Sequence, residues 1–375
     1  MTPKKILIIG PSWVGDMVMA QALFITLQED ARMQGGALVI DVLAPAWSRP
    51  LLERMPQVNQ AIDLPFAHGE LNLTGRYRLG KSLRAKGYDE VILLPNSLKS
   101  ALVPMFAKIP KRTGWRGEAR GLILNDMRYL DPEALPLMVQ RFVALARPGG
   151  SELPEILPKP SLVTAPESVL KAMQAMDLDS QRPVLVICPG AEFGDAKQWP
   201  ATHYASLSAE KIAEGWQVWI LGSAKDNAVA LEIQGLIAEE LQMSCKILTG
   251  RTSLAQAIDL MSVASAVVSN DSGLMHVAAA LGKPIVALYG STSADFTPPL
   301  ADQVQLLSID IDCRPCFKRT CPLGHKRCLV DLSPSLALEA LEKLAPMSSE
   351  AILVKDSSAD SNEPSAGERQ TFCES

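Results

Sequence analysis

Short apolar runs alternate with longer stretches in which apolar residues return every three or four positions, and the alternation continues through most of the chain. Aliphatic runs of four to eight residues fit strands buried on both faces, and the longer period marks helices packed on them. In the first half this pattern predicts strands over 5–9, 38–43 and 90–94, with a helix over about 17–28. It begins again at PVLVICPG (183–190), then predicts a helix over about 201–214 and strands over 216–221, 266–269 and 284–289. Such alternation builds parallel sheets with helices on both sides, so an α/β chain of two Rossmann-like doubly wound domains facing a cleft is expected. Between the halves, SELPEILPKPSLVTAPESV has too many prolines for continuous helix or sheet and reads as a linker. The expected division is an amino-terminal domain over 1–165, a carboxyl-terminal domain over 175–346 and a polar, serine-rich tail over 347–375 of the composition that stays disordered.

Composition narrows the picture. A chain of 375 residues is long enough for two cores. A net charge of -5 is not the footprint of a nucleic-acid binder, so any basic surface is local. The start MTPKKILIIG is broken by Gly10 and Pro11 before it could form a signal peptide's apolar core, and no window approaches the ~18 apolar residues of a membrane span. A cytoplasmic location is expected, with membrane contact at most peripheral. Four of the seven cysteines, Cys313, Cys316, Cys321 and Cys328, cluster in CRPCFKRTCPLGHKRC with His325 among them. The spacing lacks the paired CxxC knuckles of common zinc modules, which leaves both a thiophilic metal site and a metal-free packed loop open.

In open α/β sheets ligands lie beyond the carboxyl ends of the strands. The first such loop, GPSWVGD, matches neither a dinucleotide nor a Walker phosphate loop and carries Asp16 at a helix start. That aspartate could cap the helix, or face the cleft as a general base that accepts a substrate hydroxyl proton. The second loop, PGAEFGDAKQWP, offers Lys197 to a phosphate as a point charge, with Glu192 either holding Lys197 or facing water. The third, NDSGLMHVAAAL, turns into a helix whose first N–H groups suit a pyrophosphate, with Gly273 allowing close backbone approach. Asp271 there could be a cap, and His276 a core histidine. A proton acceptor on one half and a phosphate cradle on the other suit a transferase.

The strings PSWVGDMVMAQAL, DVLAPAWSRPLL, LPNSLKSALVP, IPKRTGWRGEAR, CPGAEFGDAKQWP and NDSGLMHVAAALGKPIVALYGSTSADFTPP together resemble the ADP-heptose:lipopolysaccharide heptosyltransferases of glycosyltransferase family 9, most nearly those that add the second heptose. The resemblance runs over about 4–344. It implies a GT-B fold and inverting transfer of L-glycero-D-manno-heptose from ADP-heptose to the first heptose of the inner core, carried on Kdo and lipid A. It makes Asp16 the base and Lys197 the steadying charge for the leaving diphosphate. Asp271, Ser272, Gly273 and His276 become the donor loop, and Ser12, Gly15 and Glu192 line the cleft. The strand before GSAKD lacks the glutamate that contacts the nucleoside in some relatives, which leaves the adenine and ribose contacts open. No cofactor is implied. Two D-x-D strings, 177–179 and 310–312, follow no nucleotide loop, and no catalytic metal is expected.

The basic stretch AKIPKRTGWRGEAR offers Arg112 and Arg116, with Lys108, Lys111, Arg120 and Trp115, either as a solvated face or as contacts to an anionic acceptor or the inner-membrane surface. Transfer to a different core sugar, or ligand binding without chemistry, are the competing readings.

Overall fold

The computed structural model describes residues 2–67 and 69–345, so the tail expected over 347–375 lies outside the described residues. The first sheet contains β1 (Lys4–Ile9), β2 (Leu38–Pro45), β3 (Val58–Leu64), β4 (Glu90–Leu93), β5 (Lys111–Trp115) and β6 (Asp126–Arg128), in the order β3-β2-β1-β4-β5-β6. The second contains β7 (Val184–Cys188), β8 (Gln217–Ile220), β9 (Cys245–Ile247), β10 (Ala266–Asn270), β11 (Ile285–Leu288) and β12 (Val304–Leu307), in the order β12-β11-β10-β7-β8-β9. All pairings are parallel. Each sheet starts at its centre and winds outward in both directions, so each has a switch point: β1 beside β4, and β7 beside β10. There the connecting loops diverge and leave a crevice at the carboxyl ends.

The central strands form because helices cover both of their faces. Ile6, Leu7, Ile8 and Ile9 are all buried, as is the whole of β7, which explains aliphatic runs without polar alternation. The first helix, Val14–Met33, extends past both ends of the predicted 17–28. Its apolar residues do not form one stripe, because it packs against the sheet, against the Met138–Val143 helix and against the Gly273–Ala280 helix of the second half. In the linker, the proline-rich run has no regular element until Pro166, which opens the Pro166–Ala175 helix from its first turn.

The halves are fastened together. Arg54 donates to Asp259 at 2.6 Å, with both side chains largely buried. Leu162 N–H donates to the Ala280 carbonyl at 2.8 Å, and the neighbouring Ser161 backbone is held on the first half by Gln21, which bonds it in both directions. One apolar cluster takes in Ile6, Met17 and Phe24 from the first half together with Val267, Met275 and Ala279 from the second.

A second cluster fills the other side of the second sheet. One of its two tryptophans, Trp199, is 1% exposed. The indole N–H donates to the Leu332 carbonyl at 2.8 Å, and the ring meets Tyr204 edge-on at 4.9 Å. Trp199→Ala is therefore expected to destabilise the fold by about 3–5 kcal/mol through the cavity it opens. Urea unfolding followed by circular dichroism checks this; an unchanged midpoint contradicts the anchoring role.

Candidate active site

The loops after β1, β7 and β10 meet at the switch points. After β1 the chain passes Ser12 and Trp13 and enters the first helix, with Trp13 as its extended N-cap residue and no side-chain cap. Asp16 lies in the first helical turn, and its carboxylate caps nothing. It is held instead near the second half. Burial, partly offset by the Lys197 charge and reinforced by the Asp271 charge, raises its pKa from 3.8 to about 6. The approach depends on two glycines. A β-carbon on Gly15 would sit 2.7 Å from the His276 ring, and one on Gly273 would sit 2.7 Å from Val14 Cβ. The starts of two helices, one from each half, thus pack closely, each glycine making room for a side chain of the other helix.

On the facing side Lys197 follows a tight loop and is anchored two residues later by Trp199. Its ammonium donates to Asp271 Oδ2 at 2.6 Å and lies 4.9 Å from the centroid of the Phe193 ring. Asp271 also accepts the Thr292 hydroxyl at 2.6 Å and is 5% exposed. The preceding residue is a structural hub: Asn270 donates to the Pro189 carbonyl at 2.7 Å and accepts from Trp199 N–H at 3.2 Å and the Tyr204 hydroxyl at 3.1 Å. This buried amide fixes both ends of the loop after β7, and the helix Ala201–Ala213 that follows it, to the end of β10. Ser272 is the extended N-cap residue of the Gly273–Ala280 helix, but its hydroxyl lies 3.2 Å from that of Ser269 and leaves the first helical N–H groups uncapped by a side chain. His276, 4% exposed, is kept neutral by burial, which lowers its pKa to about 4.

Several expectations change. Glu192 does not hold Lys197; its carboxylate pairs with Lys225 at 2.5 Å on the exposed rim. Arg112 lies near the amino end of β5, opposite Val91, so it is at the edge of the sheet away from the cleft. There its guanidinium donates to the carbonyls of Ile123 and Ile109. Trp115 is buried, with its indole N–H on the Arg141 carbonyl at 3.1 Å, rather than offered to a sugar or a membrane. Arg120 is fully buried and donates to the Asn96 side chain and to the carbonyls of Pro95 and Trp115. The basic stretch is therefore no single face. Only Arg116 stays at the cleft end of β5, stacked over Tyr129 at 5.5 Å. Asp179, in one D-x-D string, is occupied by Gln217 and the Gln181 backbone.

The four clustered cysteines line one small cavity of about 20 Å³ together with His325, behind Ala196. Burial and the neighbouring thiols of Cys313, Cys321 and Cys316 push the Cys328 thiol up. No group of three or more His, Cys, Asp or Glu side chains is arranged to hold a metal ion among the described residues. No helix there is long and apolar enough to cross a membrane.

Sequence reasoning passed over Asn270, Phe193 and Thr292. Asn270 and Thr292 directly follow the carboxyl ends of β10 and β11 or lie within four residues of them, and that position was the available signal. Phe193 carried none.

Two doubly wound sheets with an acid on one side of the crevice and a paired lysine with an open helix start on the other define a GT-B glycosyltransferase. The chain belongs to glycosyltransferase family 9 (heptosyltransferase), whose match spans residues 76–327. It is 50% identical over 345 residues to lipopolysaccharide heptosyltransferase 2 of Escherichia coli K12, covering 91% of this chain and 98% of that one. It is 46% identical over 350 residues to lipooligosaccharide heptosyltransferase 2 of Haemophilus influenzae, covering 91% and 99%. The solved E. coli ADP-heptose lps heptosyltransferase II superposes with a TM-score of 0.82 at 48% identity over 91% of this chain and 98% of that one.

The raised pKa of Asp16 has a stability consequence. A folded-state pKa above the unfolded value means that the folded protein holds the extra proton, so ionising Asp16 costs stability as pH rises from about 4 through about 6. Asp16→Asn is expected to be more stable than the parent at pH 7–8 by about 1 kcal/mol after allowance for solvent screening, or roughly 1–2 °C in Tm for a chain of this length. Below about pH 4 the gain should vanish. Thermal melts across this range check it; a gain that does not vary with pH contradicts the linkage.

Proposed function

We propose that this glycosyltransferase moves L-glycero-D-manno-heptose from ADP-heptose to the first heptose of the lipopolysaccharide inner core, with inversion at the anomeric carbon. The reading is carried by one observation: the Asp16 carboxylate, with no capping bond of its own, lies within electrostatic reach of the Lys197–Asp271 pair of the opposite half. The names and high identity of its E. coli and Haemophilus relatives support the choice of sugar and acceptor.

In this mechanism the acceptor hydroxyl oxygen attacks the anomeric carbon from the face opposite the diphosphate. A carbon–oxygen bond forms to the acceptor, the bond to ADP breaks, and ADP leaves with the electron pair. Asp16 receives the hydroxyl proton. A carboxylate with a pKa of about 6 suits that task, because it is mostly ionised at neutral pH yet a stronger base than an ordinary aspartate. Lys197 and the uncapped N–H groups at the start of the Gly273–Ala280 helix balance the negative charge that grows on the leaving diphosphate. Ser12 and Gly15 shape the acceptor side. Gly273 and His276 fill the junction where donor and acceptor approach, and Asp271 with Ser272 orients the phosphate loop.

Peripheral contact with the inner-membrane surface fits a lipid-linked acceptor. It is supported by the mostly exposed Tyr129 with Arg116 stacked over its ring, an aromatic and cationic pair of the kind that settles at headgroups.

Purified protein incubated with ADP-heptose and core-truncated acceptors tests the assignment. Turnover is expected only on the acceptor that already carries one heptose; use of the heptose-free acceptor alone would replace this reading with addition of the first heptose. Asp16→Asn should lower turnover at least 100-fold while leaving ADP affinity little changed, and the parent's rate should rise with pH through about 6. Near-normal turnover in that variant would remove the base from the mechanism. Lys197→Ala should weaken ADP binding and slow transfer together, since the diphosphate is charged in both states; calorimetry with unaltered ADP affinity would count against it.

A further inference from the structure

A cavity of about 680 Å³ opens on the first half of the cleft, beyond the carboxyl ends of β1, β2 and β4. Trp13 and Trp47 line it with indoles 48% and 38% exposed, an unusual exposure for so large an apolar ring. Three cations also line it. Arg76 is committed to the carbonyls of Leu71, Lys99 and Glu70 and is almost wholly buried. Lys99 and Arg319 differ: neither takes part in an ion pair among the described residues.

Arg319 comes from the other half. It sits on the cysteine-rich loop, and its carbonyl accepts the Ala196 N–H at 3.1 Å beside Gly194, whose φ of +155° and close packing on Arg319 exclude a side chain. Its guanidinium lies 5.3 Å from the centroid of the Phe193 ring, the ring that Lys197 also approaches. The backbone of Arg319 therefore serves the donor loop, while its side chain lines the cavity across the cleft. Two unpaired cations from opposite halves, set among exposed indoles, suit a saccharide that carries an anionic substituent. Indole faces pack against sugar rings, and a guanidinium grips a carboxylate or phosphate with two parallel bonds.

We propose that Arg319 crosses from the second half to bind, with Lys99, a carboxylate or phosphate on the acceptor saccharide seated against Trp13 and Trp47, and so determines which acceptor is used. Only the word acceptor rests on the transferase reading; the site itself is tested by binding. The probe is the delipidated inner-core oligosaccharide in three forms, native, carboxyl-methylated and dephosphorylated, titrated calorimetrically into the full-length protein. Arg319→Ala is expected to weaken binding of the native form roughly 10- to 100-fold while ADP affinity stays within about twofold, and Arg319→Lys should recover part of the loss. Whichever modified form binds the parent and Arg319→Ala equally identifies the anion. Because the alanine variant keeps the backbone carbonyl that Ala196 uses, a folding defect is not expected, and thermal melting checks that.

Unchanged native-form binding in Arg319→Ala overturns the proposal, as does a loss of ADP affinity equal to the loss of oligosaccharide affinity, which would assign Arg319 to the diphosphate. Failure of the parent to bind the native oligosaccharide overturns it as well. These outcomes separate from the proposed chemistry: anion-dependent binding without turnover would undo the transfer reading alone, and turnover in Arg319→Ala with an unchanged acceptor KM would undo this one alone.

Discussion

The contact between the starts of two helices governs the site. Gly15 makes room for the His276 ring and Gly273 for the Val14 side chain, so the helix Val14–Met33 and the helix Gly273–Ala280 approach where any further side chain would hold them apart. That approach puts an acid that caps nothing beside a lysine and aspartate already paired. Burial raises the acid's pKa most, the lysine partly offsets it and the second aspartate adds to it. A larger residue at either glycine would separate the charges and return Asp16 toward ordinary carboxylate behaviour. The reactivity proposed for the crevice is thus set by steric permission as much as by the charged groups.

The donor side obeys a different constraint. A lysine near phosphate must be both placed and restrained, since a free ammonium on a four-carbon stem samples many positions. Here Trp199 fixes the backbone in the core, Asn270 ties the loop after β7 to the end of β10, and Asp271 with Thr292 fixes the side chain. Removing Lys197 would leave the buried Asp271 with only a hydroxyl partner, the kind of orphaned charge that costs several times what the intact pair contributes. The same network therefore stabilises the fold and orders the chemistry.

Much of this was legible in the chain. Strands buried on both faces leave continuous aliphatic runs, so β1, β7 and β10 could be found, and the loops after them followed from the rule that ligands sit at carboxyl ends. The roles of Arg112 and Trp115 were not legible, because β5 was not recognised as a strand. Within five residues a parallel strand carries one arginine at the edge away from the cleft and delivers the next, Arg116, to the near edge; sequence distance cannot separate them until the strand and its direction are known. Side-chain partners were equally hidden. Glu192 lies five positions from Lys197 yet bonds Lys225, whereas the lysine's true partner is 74 positions away. Such pairings are set by how the second sheet winds.

The apolar cluster that takes in Ile6, Phe24, Val267 and Ala279 passes through both halves. Together with the buried Arg54–Asp259 clasp, this makes the lobes poor modules despite their matching topology. A scission in the proline-rich segment would not release two small autonomous proteins. It would expose two greasy surfaces made to be covered by each other, and the fragments would be expected to clump or to reassociate rather than live apart.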